Sequence, residues 1–144
     1  MTTNPAEAAA LRIQDAINSG DLSGLADCVT ADFVDHGARA SIPPGPEGYR
    51  RALTFVTQVL GITYTLDDLI TTPDRIVIRA TGHGVGVAEV HGPAAAGREY
   101  SMPSIHIYRT EDDRLAEHWA VRDEVAVLQQ LGLMPERRPP GARE

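Results

Sequence analysis

Four consecutive segments with the chemistry of β-strands fill the second half of this chain, and they constrain its fold more than any other feature. β-Branched, aromatic and aliphatic residues recur around 62–69, from Ile76 onward, across 100–108 and across 115–121. Short turns join these segments, which predicts an antiparallel meander. Gly82, Gly84 and Gly86 interrupt the second strand, where a curled sheet would need a bulge or strong bending.

Helical segments precede the predicted sheet. Asn4, Pro5 and Glu7 have the spacing of an N-cap, a first-turn proline and a capping glutamate, and Gly20 ends this helix. The remaining predictions are a short helix after Asp21 that carries Leu22, Leu25 and Val29, a strand at 33–36, a loop at 42–48, and a helix at 49–60 ended by Gly61. Helices followed by a curved antiparallel sheet predict an α+β domain whose concave sheet face forms a cavity.

Composition limits the classes of function. A chain of 144 residues that is 42% hydrophobic fits one domain, which we expect at 1–134 with a flexible tail at 135–144. The formal charge of −7 disfavours nucleic acid and anionic membranes as partners. The first residues lack signal-peptide character, and no apolar run approaches the ~20 residues of a membrane span. We therefore expect a cytoplasmic protein.

The basic residues carry a chemical constraint. All 13 are arginines, so no lysine is present to form a Schiff base, and any carbonyl chemistry must proceed through an enol or enolate. The lone Cys28 and the five scattered histidines show no spacing typical of a metal site.

The last two predicted strands carry the candidate site. A period-2 reading aims His106, Glu117, Trp119 and Asp123 to one side of the sheet. Ser104 and Tyr108 alternate with His106 on the same side, whereas Ile105 and Ile107 face the other way. The opposite parity of His118 and Arg122 favours a structural or interface position for both.

Several runs make the chain resemble the SnoaL-type polyketide cyclases of the nuclear transport factor 2-like (NTF2-like) superfamily. They are Asp35-His36-Gly37, 45–48, 74–79 with Thr81 and Gly82, 97–99, 117–119, and Asp123 through 128–132. The resemblance spans Ala6 to Gly132 and implies an NTF2-like cone, in which helices pack on a strongly curved sheet around a pocket. It also implies ring closure without a metal or organic cofactor.

The resemblance assigns roles to individual residues. Asp123 is similar to the family's general base, and His106 to the pocket histidine that supports the base or polarises a carbonyl. His36, Trp119, Glu117, Tyr108 and Ser104 are then candidate substrate contacts. The chain departs from the family at His83, which stands one position earlier than the usual strand histidine and is expected to point away from the pocket.

Each role has a structural alternative. Asp123 directly precedes the final helix, and an aspartate N-cap that accepts backbone N–H groups would be a poor base. Glu117 could pair with Arg79 or Arg109, Trp119 and His106 could be core residues, and His36 could be an ordinary loop histidine.

The predicted function is cofactor-independent polyketide cyclisation in antibiotic biosynthesis, by aldol-type ring closure with general acid/base catalysis. Alternatives are epoxide hydrolysis or isomerisation, cofactor-free hydroxylation, or a noncatalytic small-molecule-binding module. The expected ligand is a hydrophobic, polyketide-like small molecule. Because Ile105 and Ile107 lie on an outer apolar face, a homodimer or homotetramer is expected.

Overall fold

The computed structural model describes residues 4–38, 41–135 and 140–141. Its elements are α1 Glu7–Ser19, a 3-10 turn Leu25–Asp27, β1 Val29–Asp35, α2 Pro46–Thr54 with a π-helical extension Phe55–Val59, β2 Thr63–Thr72, β3 Arg75–Val85, α3 Ala88–His91, a 3-10 turn Pro93–Ala95, β4 Glu99–Glu111, β5 Arg114–Arg122 and α4 Glu124–Gln130. Helices pack against one curved, unclosed five-stranded sheet, so the predicted α+β architecture is confirmed.

The sheet has the order β1-β5-β4-β3-β2. β2 to β5 form the predicted antiparallel meander, whereas β1 pairs with β5 in parallel at the edge. Parallel pairing joins segments that are far apart in the chain, here Asp35 with His118. This pairing brings the end of β1 to the centre of the later functional site.

Curvature enters the sheet at a position other than the one predicted. The register shift between β2 and β3 lies at Leu66 and Asp68, whereas β3 pairs with β4 without interruption past Gly82 and Gly84. A Cβ atom on Gly84 would overlap the ring of Tyr100. The strand glycines therefore make room for aromatic side chains and do not form a bulge.

The helices cover the concave side of the sheet and share one hydrophobic core with it. Ile13 of α1, Leu53 of α2, Ile76 of β3 and Leu131 after α4 are buried in this core. Asn4 is not the N-cap that the sequence predicted, since α1 begins at Glu7 with Ala6 in the N-cap position and no side-chain cap. Asn4 instead ties the chain before α1 to the sheet: its Oδ1 accepts the N–H of Ala6, and its Nδ2 donates to Thr110 Oγ1.

Two further local predictions, in addition to the N-cap at Asn4, were wrong. Val29 opens β1 opposite Leu115 and does not belong to a helix, so only the 3-10 turn remains of the predicted second helix. α2 begins at Pro46, inside the predicted loop, because proline is well suited to the first helical turn. The predicted flexible tail, 135–144, lies mostly outside the described residues. No helix in the described part of the chain is long and apolar enough to cross a membrane.

Candidate active site

A cavity of about 610 Å³ lies between the concave sheet face and the helices. Most of its wall is apolar, with side chains such as Ile17, Leu53, Val56, Ile78 and Met102. Polar side chains converge at one end, and they are Asp35, Tyr49, His106, Tyr108, His118 and Arg122. An apolar cavity of this volume with a few convergent polar groups is typical of a small-molecule site.

The register of β4 and β5 decides which side chains enter the cavity. Residues directly opposite each other in an antiparallel pair project to the same side. Tyr108 lies opposite His118 and Ser104 opposite Arg122, and these pairs face the cavity. Ile107 lies opposite Trp119 and Arg109 opposite Glu117, and these pairs face outward.

The predicted common face of His106, Glu117, Trp119 and Asp123 is therefore wrong. The register shifts between the pair Thr110–Leu115 and the pair Arg109–Glu117, so Ala116 is an extra residue in β5. One inserted residue reverses the face of every later side chain in the strand. His118 therefore lies beside His106, where the period-2 reading had predicted Glu117 and Trp119. Leu115 and Ala116 are both buried, as expected at such a bulge.

A continuous chain of hydrogen bonds runs along the polar end of the cavity. Asp35 Oδ1 lies 2.7 Å from His118 Nδ1, and His118 Nε2 lies 3.0 Å from His106 Nδ1. His106 Nε2 in turn lies 3.0 Å from Ser104 Oγ, which donates to the carbonyl oxygen of Ala80 at 3.0 Å. The side chains of His118 and Asp35 are 3% and 6% exposed, so this chain is shielded from water.

The protons in this chain follow from its partners. Because Ser104 donates its single proton to Ala80, its Oγ accepts from His106 Nε2–H, which leaves His106 Nδ1 as an acceptor for His118 Nε2–H. His118 also donates Nδ1–H to Asp35. The resting arrangement that satisfies all these bonds is an Asp35 carboxylate, a His118 imidazolium and a neutral His106.

Electrostatics agree with that assignment. Burial lowers the pKa of His106 from 6.5 to about 3, and the positive charges of His118 and Arg122 add to the effect. Burial alone would raise the pKa of Asp35, but the hydrogen bond and charge of His118 hold it below its usual value. The cavity thus contains a neutral imidazole next to a paired charge.

Two tyrosines close the same end of the cavity. The hydroxyl oxygens of Tyr49 and Tyr108 lie 2.9 Å apart, and the ring of Tyr108 stacks on His118 with centroids 4.7 Å apart. Burial raises the pKa of both phenols above the usual value, so both remain protonated. Because one hydroxyl donates to the other, the pair retains one proton for an oxygen in the cavity.

Three of the predicted substrate contacts lie on the outer face of the sheet. His36 Nε2 lies 2.7 Å from Glu117 Oε2, and Arg109 Nε donates to Glu117 Oε1 at 2.6 Å. The ring of His36 stacks on Trp119 with centroids 5.0 Å apart. None of these side chains lines the cavity, and Glu117 has the arginine partner that was its structural alternative. Tyr108 lines the polar end of the cavity, whereas Ser104 does not line it and contacts His106 there.

Asp123 lies at the N-terminus of α4. Its Oδ1 accepts the N–H of Ala126 at 3.0 Å, and the residue is exposed. The cavity wall includes the residues on either side, Arg122 and Glu124, but not Asp123. The geometry is that of the N-cap alternative, with the carboxylate outside the apolar cavity.

Sequence reasoning missed Asp35, His118, Tyr49 and Arg122. The sequence does contain a signal, since Asp35-His36 and Glu117-His118 each place a carboxylate beside a histidine. The bulge at Ala116 decides which member of Glu117-His118 faces inward, and the pairing of β1 with β5 brings Asp35 to the same side. His83, by contrast, points away from the cavity as expected, exposed and 2.9 Å from Thr65 Oγ1. Within the described ranges, no group of three or more histidine, cysteine or carboxylate side chains could hold a metal ion.

Comparisons with known proteins agree with this architecture. The model of the SnoaL-like polyketide cyclases matches residues 7–131. The aklanonic acid methyl ester cyclase DnrD of Streptomyces peucetius is 26% identical over 125 residues, which cover 84% of this chain and 86% of DnrD. The solved structure of TsrD from Streptomyces laurentii is similar at a TM-score of 0.79 and 28% identity, over 93% of this chain and 99% of TsrD. IdmH from Streptomyces antibioticus is similar at a TM-score of 0.76 and 30% identity, over 90% and 99% of the two chains.

Proposed function

The chain belongs to the SnoaL-like polyketide cyclase family, and we propose that it closes a carbocyclic ring of a polyketide by proton transfer at His106. The observation that carries the proposal is the buried chain Asp35–His118–His106, which reaches the polar end of an apolar cavity. A carboxylate that orients one imidazole against another is an arrangement suited to general acid/base work.

The proposed reaction begins with removal of a proton from the activated carbon of the substrate. The base form has one proton fewer than the resting arrangement: His118 is neutral with its proton on Nδ1, and His106 donates Nδ1–H to His118 Nε2. The unprotonated His106 Nε2 then takes the substrate proton in place of its contact with Ser104. A proton moves at the same time from His106 Nδ1 to His118 Nε2, so that positive charge arrives next to Asp35. The electron pair of the broken carbon–hydrogen bond stays on the substrate, which becomes the enolate.

The enolate then attacks a ketone of the same molecule, forming the new carbon–carbon bond and an alkoxide. The proton returns by the reverse path from His106 Nε2 to the alkoxide, which restores the base form. Protons balance over the cycle, and the product is an isomer of the substrate. Because the chain has no lysine, the enolate route also agrees with the amino-acid composition.

The tyrosine pair supplies electrostatic stabilisation in this proposal. The unused proton of the Tyr49 and Tyr108 hydroxyls would donate to the enolate oxygen as its negative charge develops. The apolar wall would hold the polyketide substrate in a folded conformation, which turns ring closure into an oriented unimolecular step.

The test compares four folded proteins on aklanonic acid methyl ester, the substrate type in the name of the relative DnrD, and on related polyketides. We expect wild type to cyclise one of them, followed by absorbance. His106→Gln should lower kcat about 10²- to 10⁴-fold, the usual contribution of a general acid/base. Asp35→Asn should also lower kcat, and Asp123→Asn should keep kcat within a few-fold of the wild-type value.

Asp123 remains the rival base that the family resemblance suggested. A folded, substrate-binding Asp123→Asn protein without activity, together with an active His106→Gln protein, would reject the histidine mechanism in favour of Asp123. Binding by every protein with no reaction, wild type included, would instead favour a noncatalytic module or a different reaction in the same cavity.

We also propose that the outer sheet face pairs with a second copy of the chain in the cytoplasm. Ile105, Ile107, Trp119 and Val121 are all exposed on this face, and Val121 is 77% exposed. One patch of this kind can cover itself about a two-fold axis. Light scattering at micromolar concentration should give a dimer or tetramer for wild type and a smaller particle for Val121→Glu; a monomeric wild type would refute the pairing.

A further inference from the structure

Arg122 is a cationic side chain in the cavity wall without a direct polar partner. It is the last residue of β5, lies opposite Ser104, and shares the polar end of the cavity with His106. Among the described residues, no hydrogen bond or ion pair within 4 Å engages its guanidinium. The outward-facing Arg79 and Arg109 differ in this respect: Arg79 pairs with two carboxylates of β2, and Arg109 pairs with Glu117 of β5 and Glu111 of its own strand.

The carboxylate on which the charge of Arg122 acts is already committed. Asp35 Oδ1 accepts hydrogen bonds from His118 Nδ1 at 2.7 Å and from the backbone N–H of Gly37 at 2.9 Å. The charge of Arg122 acts on Asp35 and His106 through space and lowers the pKa of both. Arg122 therefore lies close to the proton chain while its own donors remain available.

A guanidinium presents a planar set of donors that matches the two oxygens of a carboxylate. An ester offers neither the negative charge nor the second equivalent oxygen. The guanidinium of Arg122 is half-buried and has no partner from the protein, so an anion on a bound ligand would stabilise it. A carboxylate of the substrate has the chemistry of such an anion.

We propose that Arg122 binds a free carboxylate of the substrate and makes this chain selective for a polyketide acid over its methyl ester. The inference rests on the proposed function for the identity of the carbon skeleton, but its binding prediction does not need turnover. Since Ser104 lies opposite Arg122 and contacts His106 Nε2, a carboxylate on Arg122 would place the next carbon near His106. That carbon is activated by the ketone on its other side, whose oxygen becomes the enolate oxygen. Arg122 thereby positions the substrate and takes no proton.

The experiment measures binding of anthraquinone-2-carboxylate and its methyl ester by isothermal titration calorimetry. We expect wild type to bind the acid about 10- to 100-fold more tightly than the ester, the usual range for a charge-assisted hydrogen-bonded contact. Arg122→Gln should reduce acid binding to the level of the ester and leave ester binding unchanged. Arg122→Lys should restore part of the preference, and Arg79→Gln on the outer face is the matched control that should keep all of it.

Equal binding of acid and ester by wild type would overturn the proposal. So would a folded Arg122→Gln protein that loses both ligands equally, since this would indicate a role in packing. If Arg122→Gln does not fold, the Arg122→Lys protein and the salt dependence of acid binding by wild type give the decision: a preference that salt does not weaken would reject the ion pair.

Failure of the cyclase proposal gives a different result. A wild-type protein that discriminates acid from ester but cyclises nothing would leave the Arg122 inference intact. A protein that cyclises acid and ester substrates equally well would reject the Arg122 inference alone.

Discussion

The two faces of the sheet each contain a carboxylate–imidazole pair built from the same two dipeptides. On the inner face, Asp35 Oδ1 contacts His118 Nδ1 at 2.7 Å; on the outer face, Glu117 Oε2 contacts His36 Nε2 at the same distance. Asp35-His36 and Glu117-His118 lie side by side on the parallel strands β1 and β5. Alternation along the strands sends one acid and one histidine to each side.

Solvent makes these two pairs different. The inner side chains are 3% and 6% exposed, whereas the outer ones are 41% for His36 and 25% for Glu117. In the single chain, before any pairing through the outer face, water screens the outer pair, so its attraction contributes little to folding of that chain. The inner pair has lost its hydration, and removal of one partner would leave an uncompensated buried charge. Equal contact distance therefore gives unequal energy and different chemistry.

The strongest test of this comparison breaks each pair by a matched amide substitution. Asp35→Asn should lower the free energy of unfolding by ~3–5 kcal/mol, because it leaves His118 without its counter-charge in a buried site. Glu117→Gln should leave the urea midpoint nearly unchanged because solvent replaces the lost contact. Similar losses of stability in the two variants would show that burial does not distinguish the faces.

The next largest effect is the pH dependence of stability that the buried imidazole of His106 produces. The pKa of His106 is about 3 in the folded chain and near 6.5 when unfolded, so the unfolded state binds more protons between these values. Stability should therefore fall as pH drops below 6.5, by up to about 1.4 kcal/mol per pH unit. Urea unfolding from pH 6.5 to 4.5 should show a shallower slope for His106→Gln.

Parallel stability curves for wild type and His106→Gln over this range would contradict the assignment of a neutral, desolvated His106.

The smallest effect belongs to the outer face. Trp119 is the single tryptophan and stacks on His36, so His36→Ala should change the fluorescence of the folded protein. Because the site is exposed, stability should change by less than about 0.5 kcal/mol and ligand affinity should not change. A His36→Ala protein with weaker binding of anthraquinone-2-carboxylate would connect the outer face to the cavity and remove the distinction between the faces.

Much of the fold was predictable because its signals are local. Strand-forming runs, the helix that ends at Gly20 and the meander after Ile62 all follow from short-range preferences and appear in the structure. The site was less predictable, since His106 and Tyr108 reach the polar end of the cavity but Glu117, Trp119 and His36 do not. One extra residue at Ala116 turns Glu117 and Trp119 outward, because strand faces alternate at every position.

The sequence by itself determined the order of helices and strands, the resemblance to the SnoaL-type cyclases, and the exclusion of lysine-based carbonyl chemistry. Only the tertiary structure decided which carboxylate meets which histidine. β1 pairs with a strand some eighty residues later, and the bulge in β5 sets which side chains turn inward. Neither result is encoded in a local pattern, because pairing of distant strands depends on how the whole sheet packs beneath its helices.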